Sequence, residues 1–374
     1  MIALDVHVIG ERETGNETYM LNLVRGLLTV APDRCFALLT PHPERLPEDV
    51  RRAANARVMQ VRPANSFVRV PLSLPYLAWS ARASLLHVTY VLPPLCPCPG
   101  VATVHDLSYL IFPHDAPPRD RLVLRPLLPL SVRRAAAVIV ISESTRRDVI
   151  NRLGVPDARI TVTPLAAPPH IRMVTASSVM DRVRSMYGLS QKYILAVGNL
   201  QPRKNLGRLI EAFSIIRREG HDAQLVIVGQ ARWRQSEILR TVKERGLDND
   251  VVFTGYVADA DLSALYSGAA VFVYPSLYEG FGLPILEAMA CGAPVVTSNT
   301  SSLPEVAGDA ALLVDPRSVP ALTDAIRAVL LDSQRANELR ARGFAQVARF
   351  SWSKTAQQTL AVYDRVLKRS RRGW

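Results

Sequence analysis

Three short stretches carry residue types that can do chemistry. The first runs from Tyr274 to Val296, YPSLYEGFGLPILEAMACGAPVV. It reads as a strand, a glycine-bearing loop and a helix. Gly280 and Gly282 allow the backbone to approach a ligand closely. Pro284 suits an opening helical turn, where its missing N–H matters little. The N–H groups of Gly282, Leu283 and the turn that follows then form an anion site, aided by the helix dipole. Glu279 stands in the loop and Glu287 lies in the helix. One carboxylate is thus placed beside the loop's ligand, and the other can reach a group bearing hydroxyls, whose hydrogen bonds a carboxylate accepts. A solvated turn with both carboxylates on the surface would give the same string.

The second stretch is VGNLQPRKNLGRLIEAF, Val197 to Phe213. Gly198 ends the apolar strand, Arg203 and Lys204 occupy the loop after it, and Asn205 is the expected helix cap. Two cations with helical N–H groups suit a diphosphate. A charge pair alone is commonly a solvated loop, but this pair follows a buried strand, where ligands of open α/β sheets bind. The third stretch is VATVHDLSYL, Val101 to Leu110. His105 ends a strand and could hydrogen-bond a sugar or serve as an acid or base. A lone histidine is more often a satisfied core residue. Gly10 and Gly15 lie between the first strand and helix, without the G-x-G-x-x-G of a dinucleotide enzyme. Asp259-Ala260-Asp261 looks like a metal-binding pair, yet it immediately precedes LSALYSGA, where aspartate is favoured as a cap or first-turn residue. No metal is expected.

These loops must be held by a regular frame. Apolar runs alternate with amphipathic segments: IALDVHV, CFALLT, RVMQV, LLHVTY, GVATVHD and AAVIVIS in the first half, then YILAVGN, AQLVIVG, VVFTGY, AVFVYPS, PVVTSN and ALLVD. Nearly continuous apolar strands are those of parallel sheets covered on both faces. Helical patterns fall at residues 17–29 and 121–134, and from 143 onwards after a Ser142 cap, with Gly154 as stop. The stretch from about 171 to 190 reads as loose. The expected architecture is two Rossmann-like, doubly wound α/β domains facing across a cleft: residues 1–170 and 171–350. A long final helix, residues 351–374, packs back on the first.

Composition narrows the class. The chain has 374 residues, 48% hydrophobic and 21% charged, an ordinary globular balance. That length suits two domains. No apolar run approaches the ~20 residues of a membrane-spanning helix, and MIALDVHVIG lacks the basic start of a signal peptide. Four cysteines do not make a disulfide scaffold. A cytoplasmic protein is expected. The net charge of +12 comes from 45 Lys+Arg against 33 Asp+Glu. It is spread over both halves, which argues against a nucleic-acid partner. Arg51, Arg52, Arg69, Arg119, Arg121 and Arg125 lie near apolar residues and raise the expectation of peripheral contact with the inner face of a membrane.

Taken together, EGFGLPILE, PRKN and SSLPEVAGDAALLVDP resemble the retaining family 4 glycosyltransferases of the GT-B fold. HDL and the helix carrying Tyr19 are similar to a bacterial mannosyltransferase-like subgroup. The resemblance covers most of the chain and is densest from Tyr193 to Asp315. It implies a hexosyltransferase with a nucleotide-diphosphate sugar donor, GDP-mannose ranking first and a UDP-sugar second. The acceptor would be a glycan or a lipid-linked hydroxyl, as in polysaccharide biosynthesis. It implies that Glu287 binds the donor ribose, and that Arg203 and Lys204 neutralise the diphosphate as the nucleotide departs. Glu279, Gly280, Phe281, Gly282 and Leu283 would hold the donor sugar, and Tyr256 and Val257 would lie near the base. Gly15 and Gly198 would complete donor binding, and His105 would contact sugar or acceptor. Anomeric retention would follow from front-face attack, with the leaving phosphate taking the acceptor proton. One departure stands out. Where the subgroup shows G-x-G-R-Y, this chain has Gly15-Asn16-Glu17-Thr18-Tyr19, so first-loop contacts and acceptor identity do not carry over. An epimerase or phosphorylase of the same fold, or a non-enzymatic nucleotide-sugar-binding protein, are the competing readings.

Overall fold

The computed structural model describes residues 1–11, 14–113, 118–230 and 235–371. The chain divides into two compact units, Met1–Leu165 with Ser351–Trp374, and Ala166–Phe350.

In the first unit the apolar runs form seven strands: β1 (Ile2–Asp5), β2 (Phe36–Thr40), β3 (Ala56–Gln60), β4 (Leu85–Thr89), β5 (Gly100–Val104), β6 (Ala137–Val140) and β7 (Ile160–Val162). All pair in parallel, in the order β3-β2-β1-β4-β5-β6-β7. The central strands are buried along their length, whereas edge strand β3 turns Arg57 and Gln60 to solvent, as an edge must to discourage further pairing. Leu86, Val88, Ala102, Val104, Val138 and Val140 meet helix residues Leu74, Leu128, Val132 and Val149 in one core. Ser142 caps the helix Glu143–Leu153 through its Oγ, which accepts from Thr145 N at 3.0 Å, and Gly154 closes it at φ 66°. Both termini follow the sequence reading.

The helix Trp352–Arg371 belongs to this unit and packs on Thr14–Val30. Gly26 permits the approach: a Cβ there would lie 2.9 Å from Ala356 Cβ and 3.0 Å from Trp352 O. A buried polar chain ties this last helix into the sheet. Tyr363 OH meets His87 Nδ1 at 2.6 Å, His87 Nε2 meets Thr103 Oγ1 at 2.7 Å, and Tyr19 OH reaches the same Oγ1 at 2.9 Å. Burial pushes the His87 pKa down to about 3, so the ring is neutral and joins the chain as donor and acceptor.

The second unit repeats the plan with six strands: β8 (Tyr193–Val197), β9 (Gln224–Val228), β10 (Val251–Gly255), β11 (Val271–Tyr274), β12 (Val295–Ser298) and β13 (Ala311–Val314). They run parallel in the order β10-β9-β8-β11-β12-β13. Ile194, Ala196, Leu225, Ile227, Val271, Val273 and Val296 pack against Leu209, Phe213, Leu322 and Ile326. Two sheets of this order are the doubly wound architecture the alternation predicts.

Helices appear where the sequence reading placed none. Ser177–Tyr187 lies in the stretch read as loose and buries only Val183, too little to leave a periodic signal. Ser66–Ser80 is helical throughout its three parts, although Pro71 and Pro75 argue against a helix there. Its middle is a π turn, Arg69–Ser73, and Pro75 sits at the start of the helix Leu74–Ser80, where proline is tolerated.

Candidate active site

In the second unit the strand order reverses between β8 and β11. That switch point is where open α/β sheets bind ligands. The loop after β8 carries Arg203 and Lys204 in a single 3-10 turn, Pro202–Lys204. The loop after β11 carries Glu279. The two loops are joined along the backbone, because Leu277 N donates to Arg203 O at 2.8 Å. Asn205 reinforces the joint: its Nδ2 donates to Pro275 O at 3.1 Å and Pro316 O at 2.6 Å. The sequence suggested Asn205 as a helix cap. It does occupy the N-cap position of Leu206–Arg218, but its side chain makes no capping bond. Its left-handed φ of 60° turns the amide across to the neighbouring loop instead.

Glu279 sits between the two cations. Lys204 Nζ donates to its Oε1 at 2.6 Å and Arg203 Nη1 to its Oε2 at 2.8 Å. Lys204 Nζ also donates to Tyr274 OH at 2.6 Å, and Arg203 Nη1 to Tyr278 O at 3.0 Å. Burial would push the Glu279 pKa up, but Arg203 and then Lys204 more than offset it and hold it at about 2. The carboxylate is therefore ionised throughout the neutral range, and the cluster of two cations and one anion is cationic. Gly198, at the end of β8, makes room for the lysine stem: a Cβ there would lie 3.3 Å from Lys204 Cε. The Glu279 backbone is fixed from a third loop. Its N–H donates to Ser301 Oγ at 3.0 Å, and Ser302 Oγ donates to the carbonyls of Glu279 and Phe281 at 2.9 and 2.8 Å.

Gly282 precedes the helix Leu283–Ala290 at φ 106°, and a Cβ there would meet Leu303 Cδ2 at 2.7 Å. Only glycine fits that backbone and that space. Phe281 and Leu283 are buried, with the Phe281 ring edge-on to Phe350 at 5.9 Å. Their backbone, not their side chains, is what this turn can offer a ligand. Glu287 accepts from Tyr266 OH at 2.9 Å. Burial pushes its pKa up to about 7, so it stands half ionised near neutrality. A row of rings, Tyr266, Phe272 and Tyr274 at 5.4 and 5.8 Å, links Glu287 to the lysine bound to Tyr274. The sequence reading gave no role to Tyr266, Tyr274 or the serines. Tyr274 has a recognisable signal in its two-residue spacing from Phe272 at the strand end. Tyr256 is exposed and Val257 buried, both just beyond edge strand β10.

Asp259 and Asp261 lie in the first turn of the helix Asp259–Gly268, as the helical reading expects, but neither caps it, since Ala258 holds that position. They pair instead with His170 at 2.9 Å and Arg182 at 2.6 Å.

The first unit contributes His105 after β5. It is 6% exposed, and its Nε2 has no hydrogen-bond partner among the described residues. Tyr19 and Tyr90 pack against the ring at 4.7 and 5.6 Å. Burial pushes its pKa down to about 4, so near pH 7 it is a neutral group with a bond to give or accept. In that form the ring can accept or donate a hydrogen bond, or accept a proton. Gly15 is not in the first loop, as the sequence suggested, but inside the opening turn of the helix Thr14–Val30, exposed and with open space around it. The departure from G-x-G-R-Y has a local role: Glu17 accepts from Gly10 N at 2.8 Å.

The arginines that suggested membrane contact separate. Arg69 is buried on Asp5 at 2.5 Å, and Arg52 pairs with Glu48 at 2.6 Å. Arg51 and Arg125 are exposed. The side chains of Arg119 and Arg121 lie outside the described residues. No helix among the described residues is long and apolar enough to cross a membrane.

Comparison with known proteins converges on one family. Residues 184–346 match the model described as glycosyl transferases group 1, and residues 14–169 match glycosyltransferase family 4. O-antigen chain mannosyltransferase B of Escherichia coli is 37% identical over 266 residues, 71% of this chain and 70% of the relative. The serotype-specific mannosyltransferase WbdA of Escherichia coli is 36% identical over 63% of this chain, which spans only 30% of that protein's length. Among solved structures, sucrose-phosphate synthase from Thermosynechococcus elongatus superposes with a TM-score of 0.76 at 24% identity, covering 98% of this chain and 99% of the other. That last likeness speaks for the fold.

Proposed function

Because the chain belongs to the family 4 glycosyltransferases of the GT-B fold, we propose that it moves a mannosyl residue, with retention, from a nucleotide-diphosphate sugar to a hydroxyl of a glycan or lipid-linked acceptor. The observation that carries the reading is the Arg203–Glu279–Lys204 cluster at the β8–β11 switch point. Its net positive charge faces chemistry in which charge grows on the departing diphosphate. Cations already oriented by a buried carboxylate stabilise that charge without reorganising. They also supply what a metal ion would, so no metal is required.

In this reading the second unit is the donor side. Glu287 accepts the ribose hydroxyls, Gly198 and the turn from Gly280 to Leu283 let backbone N–H groups reach the diphosphate and sugar, and Tyr256 and Val257 border the base. Glu279 keeps lone pairs to accept from a sugar hydroxyl while bound to both cations. The first unit is the acceptor side, where His105 Nε2 contacts sugar or acceptor, with Gly15 near the donor. Attack comes from the face that the diphosphate leaves. Its oxygen takes the acceptor proton, so no protein nucleophile forms a bond to the anomeric carbon. GDP-mannose is the first donor and a UDP-sugar the second. The protein works at the cytoplasmic face of a membrane, in peripheral contact with it.

The test has two arms. A thermal-shift panel of nucleoside diphosphates and their sugar conjugates names the donor, since a specific binder stabilises the folded state. Product analysis follows. A sugar on a new hydroxyl with the donor's anomeric configuration supports the proposal. An isomerised donor, or a requirement for inorganic phosphate, overturns it.

A further inference from the structure

The segment Ser66–Ser80 carries four large apolar side chains in water. Phe67, Leu72, Tyr76 and Trp79 are 61%, 64%, 63% and 67% exposed. Their spacing is five, four and three residues. Steps of four and three stay on one face of an α-helix. A step of five does not, but here it spans the π turn Arg69–Ser73, whose bonds run from i to i+5 and so return the chain to the same side. The opposite side is anchored. Leu74 and Ala78 are fully buried, Arg69 is paired with Asp5, and Ser73 Oγ donates to Arg62 O at 2.8 Å. Asn65 Oδ1 starts the segment by accepting from Phe67 N at 2.9 Å. The inward face is thus locked to the first unit, which fixes the outward one as an apolar ridge, with the Tyr76 and Trp79 rings 6.2 Å apart.

The stretch of sequence that carries the ridge holds charge of one sign. Between Asp49 and Asp106 the sequence holds no aspartate or glutamate, while it holds Arg51, Arg52, Arg57, Arg62, Arg69 and Arg82. Arg62 and Arg82 stand exposed at the two ends of the helical segment. Tyrosine and tryptophan, amphipathic rings, settle at the level of lipid headgroups. Arginines at either end meet anionic phosphates. A helical face with apolar side chains outward and an exposed arginine at each end is the pattern of an interfacial helix.

We propose that Phe67, Leu72, Tyr76 and Trp79, bracketed by Arg62 and Arg82, form the surface by which this protein docks on an anionic lipid bilayer. The inference rests on the membrane contact proposed above and gives it an address, away from the arginines that first suggested it. None of these residues belongs to the sugar-transfer machinery.

Flotation of the full chain with vesicles decides it, using phosphatidylcholine mixed with phosphatidylglycerol against phosphatidylcholine alone. The wild type should float with the anionic vesicles at low salt, and less at high salt. Tyr76→Ser with Trp79→Ser should lower the bound fraction at least about tenfold, given the apolar surface removed. Arg62→Gln with Arg82→Gln should weaken binding while reducing its salt dependence. All of these side chains are exposed, so melting temperature and transfer to a soluble acceptor should stay at wild-type values. If the wild type floats with neither vesicle, both the membrane contact and this surface fail. If it floats and the Tyr76/Trp79 variant floats equally well, this surface fails while the contact stands. If size-exclusion with light scattering shows a dimer that the same variant dissolves, the ridge is a contact between copies of the chain and the proposal is overturned.

Discussion

Replacing Glu287 with glutamine tests the donor site through its proton. Burial holds this carboxyl at a pKa of about 7, far above the ~4.5 of a solvated glutamate. Glu279, at about 2, and His105, at about 4, do not change charge between pH 6 and 8. The diphosphate of a nucleotide sugar is fully esterified at both ends and does not titrate there either. If ribose binds to the ionised carboxylate, affinity follows the ionised fraction, roughly 0.09 at pH 6 and 0.91 at pH 8 by the titration relation. Donor affinity should therefore rise about tenfold over that interval. Isothermal titration of the nucleotide sugar at several pH values measures it, and Glu287→Gln should bind more weakly with a flat profile. The same carboxyl bears on stability with a definite sign. Its folded pKa is raised, so its contribution is fully present below about pH 4.5 and is lost as pH rises through about 7. At pH 8 the glutamine variant should be the more stable protein, by at most about 3 kcal/mol. A wild-type affinity independent of pH, or a glutamine variant with the wild-type slope, would refute the reasoning.

Arg203→Ala and Lys204→Ala should each lower turnover by about a hundredfold or more, as for removal of one charge-stabilising donor. Circular dichroism should report a folded chain, and wild-type turnover in both variants would end the electrostatic role. Each should also lower the melting temperature, because buried Glu279 loses a partner, a loss of roughly 3 kcal/mol for a broken buried pair. Gly282→Ala should destabilise by about 1–3 kcal/mol from its positive φ, together with the clash at Leu303, as read by denaturant unfolding. His105→Ala should reduce kcat/KM and also lower the melting temperature, since it removes a buried ring packed by Tyr19 and Tyr90; His105→Gln should recover part of the stability and keep a hydrogen-bonding group. The wild-type kcat/KM profile should inflect near pH 7 through Glu287, and Glu287→Gln should leave no inflection between pH 6 and 8 from this neutral histidine.

The sheet frame was legible because most of its strands are nearly continuous apolar runs, too short for a buried helix and spaced by amphipathic segments. The β8 and β11 loops were legible because Arg203, Lys204 and Glu279 follow buried strands in a sheet whose switch point lies between them. What the string could not show is that Glu279 pairs with both cations. Ion pairs across more than seventy residues leave no periodicity. The partners that tune the site, Tyr266, Tyr274, Ser301 and Ser302, were missed because each looks like an ordinary strand, helix or loop residue until the fold folds them inward. Gly15 misled for a simpler reason: glycine signals a loop, and here it sits in a helix's first turn with no steric need for glycine. The helix Ser66–Ser80 was hidden by its prolines and by the five-residue step, which breaks the usual helical count.

The bond between Tyr363 and His87 has a consequence for synthesis. The last helix supplies one hydrogen-bond partner of a histidine enclosed at the centre of the first sheet. A ribosome delivers that partner only after the whole second unit has emerged. Until then His87 Nδ1 is left without its mate in an apolar interior, a penalty of the size that unpaired buried groups carry. The second unit is thus free to finish folding first, although it is encoded later, and a fragment ending at Leu165 should be a poor candidate for expression unless residues 351–374 are joined to it.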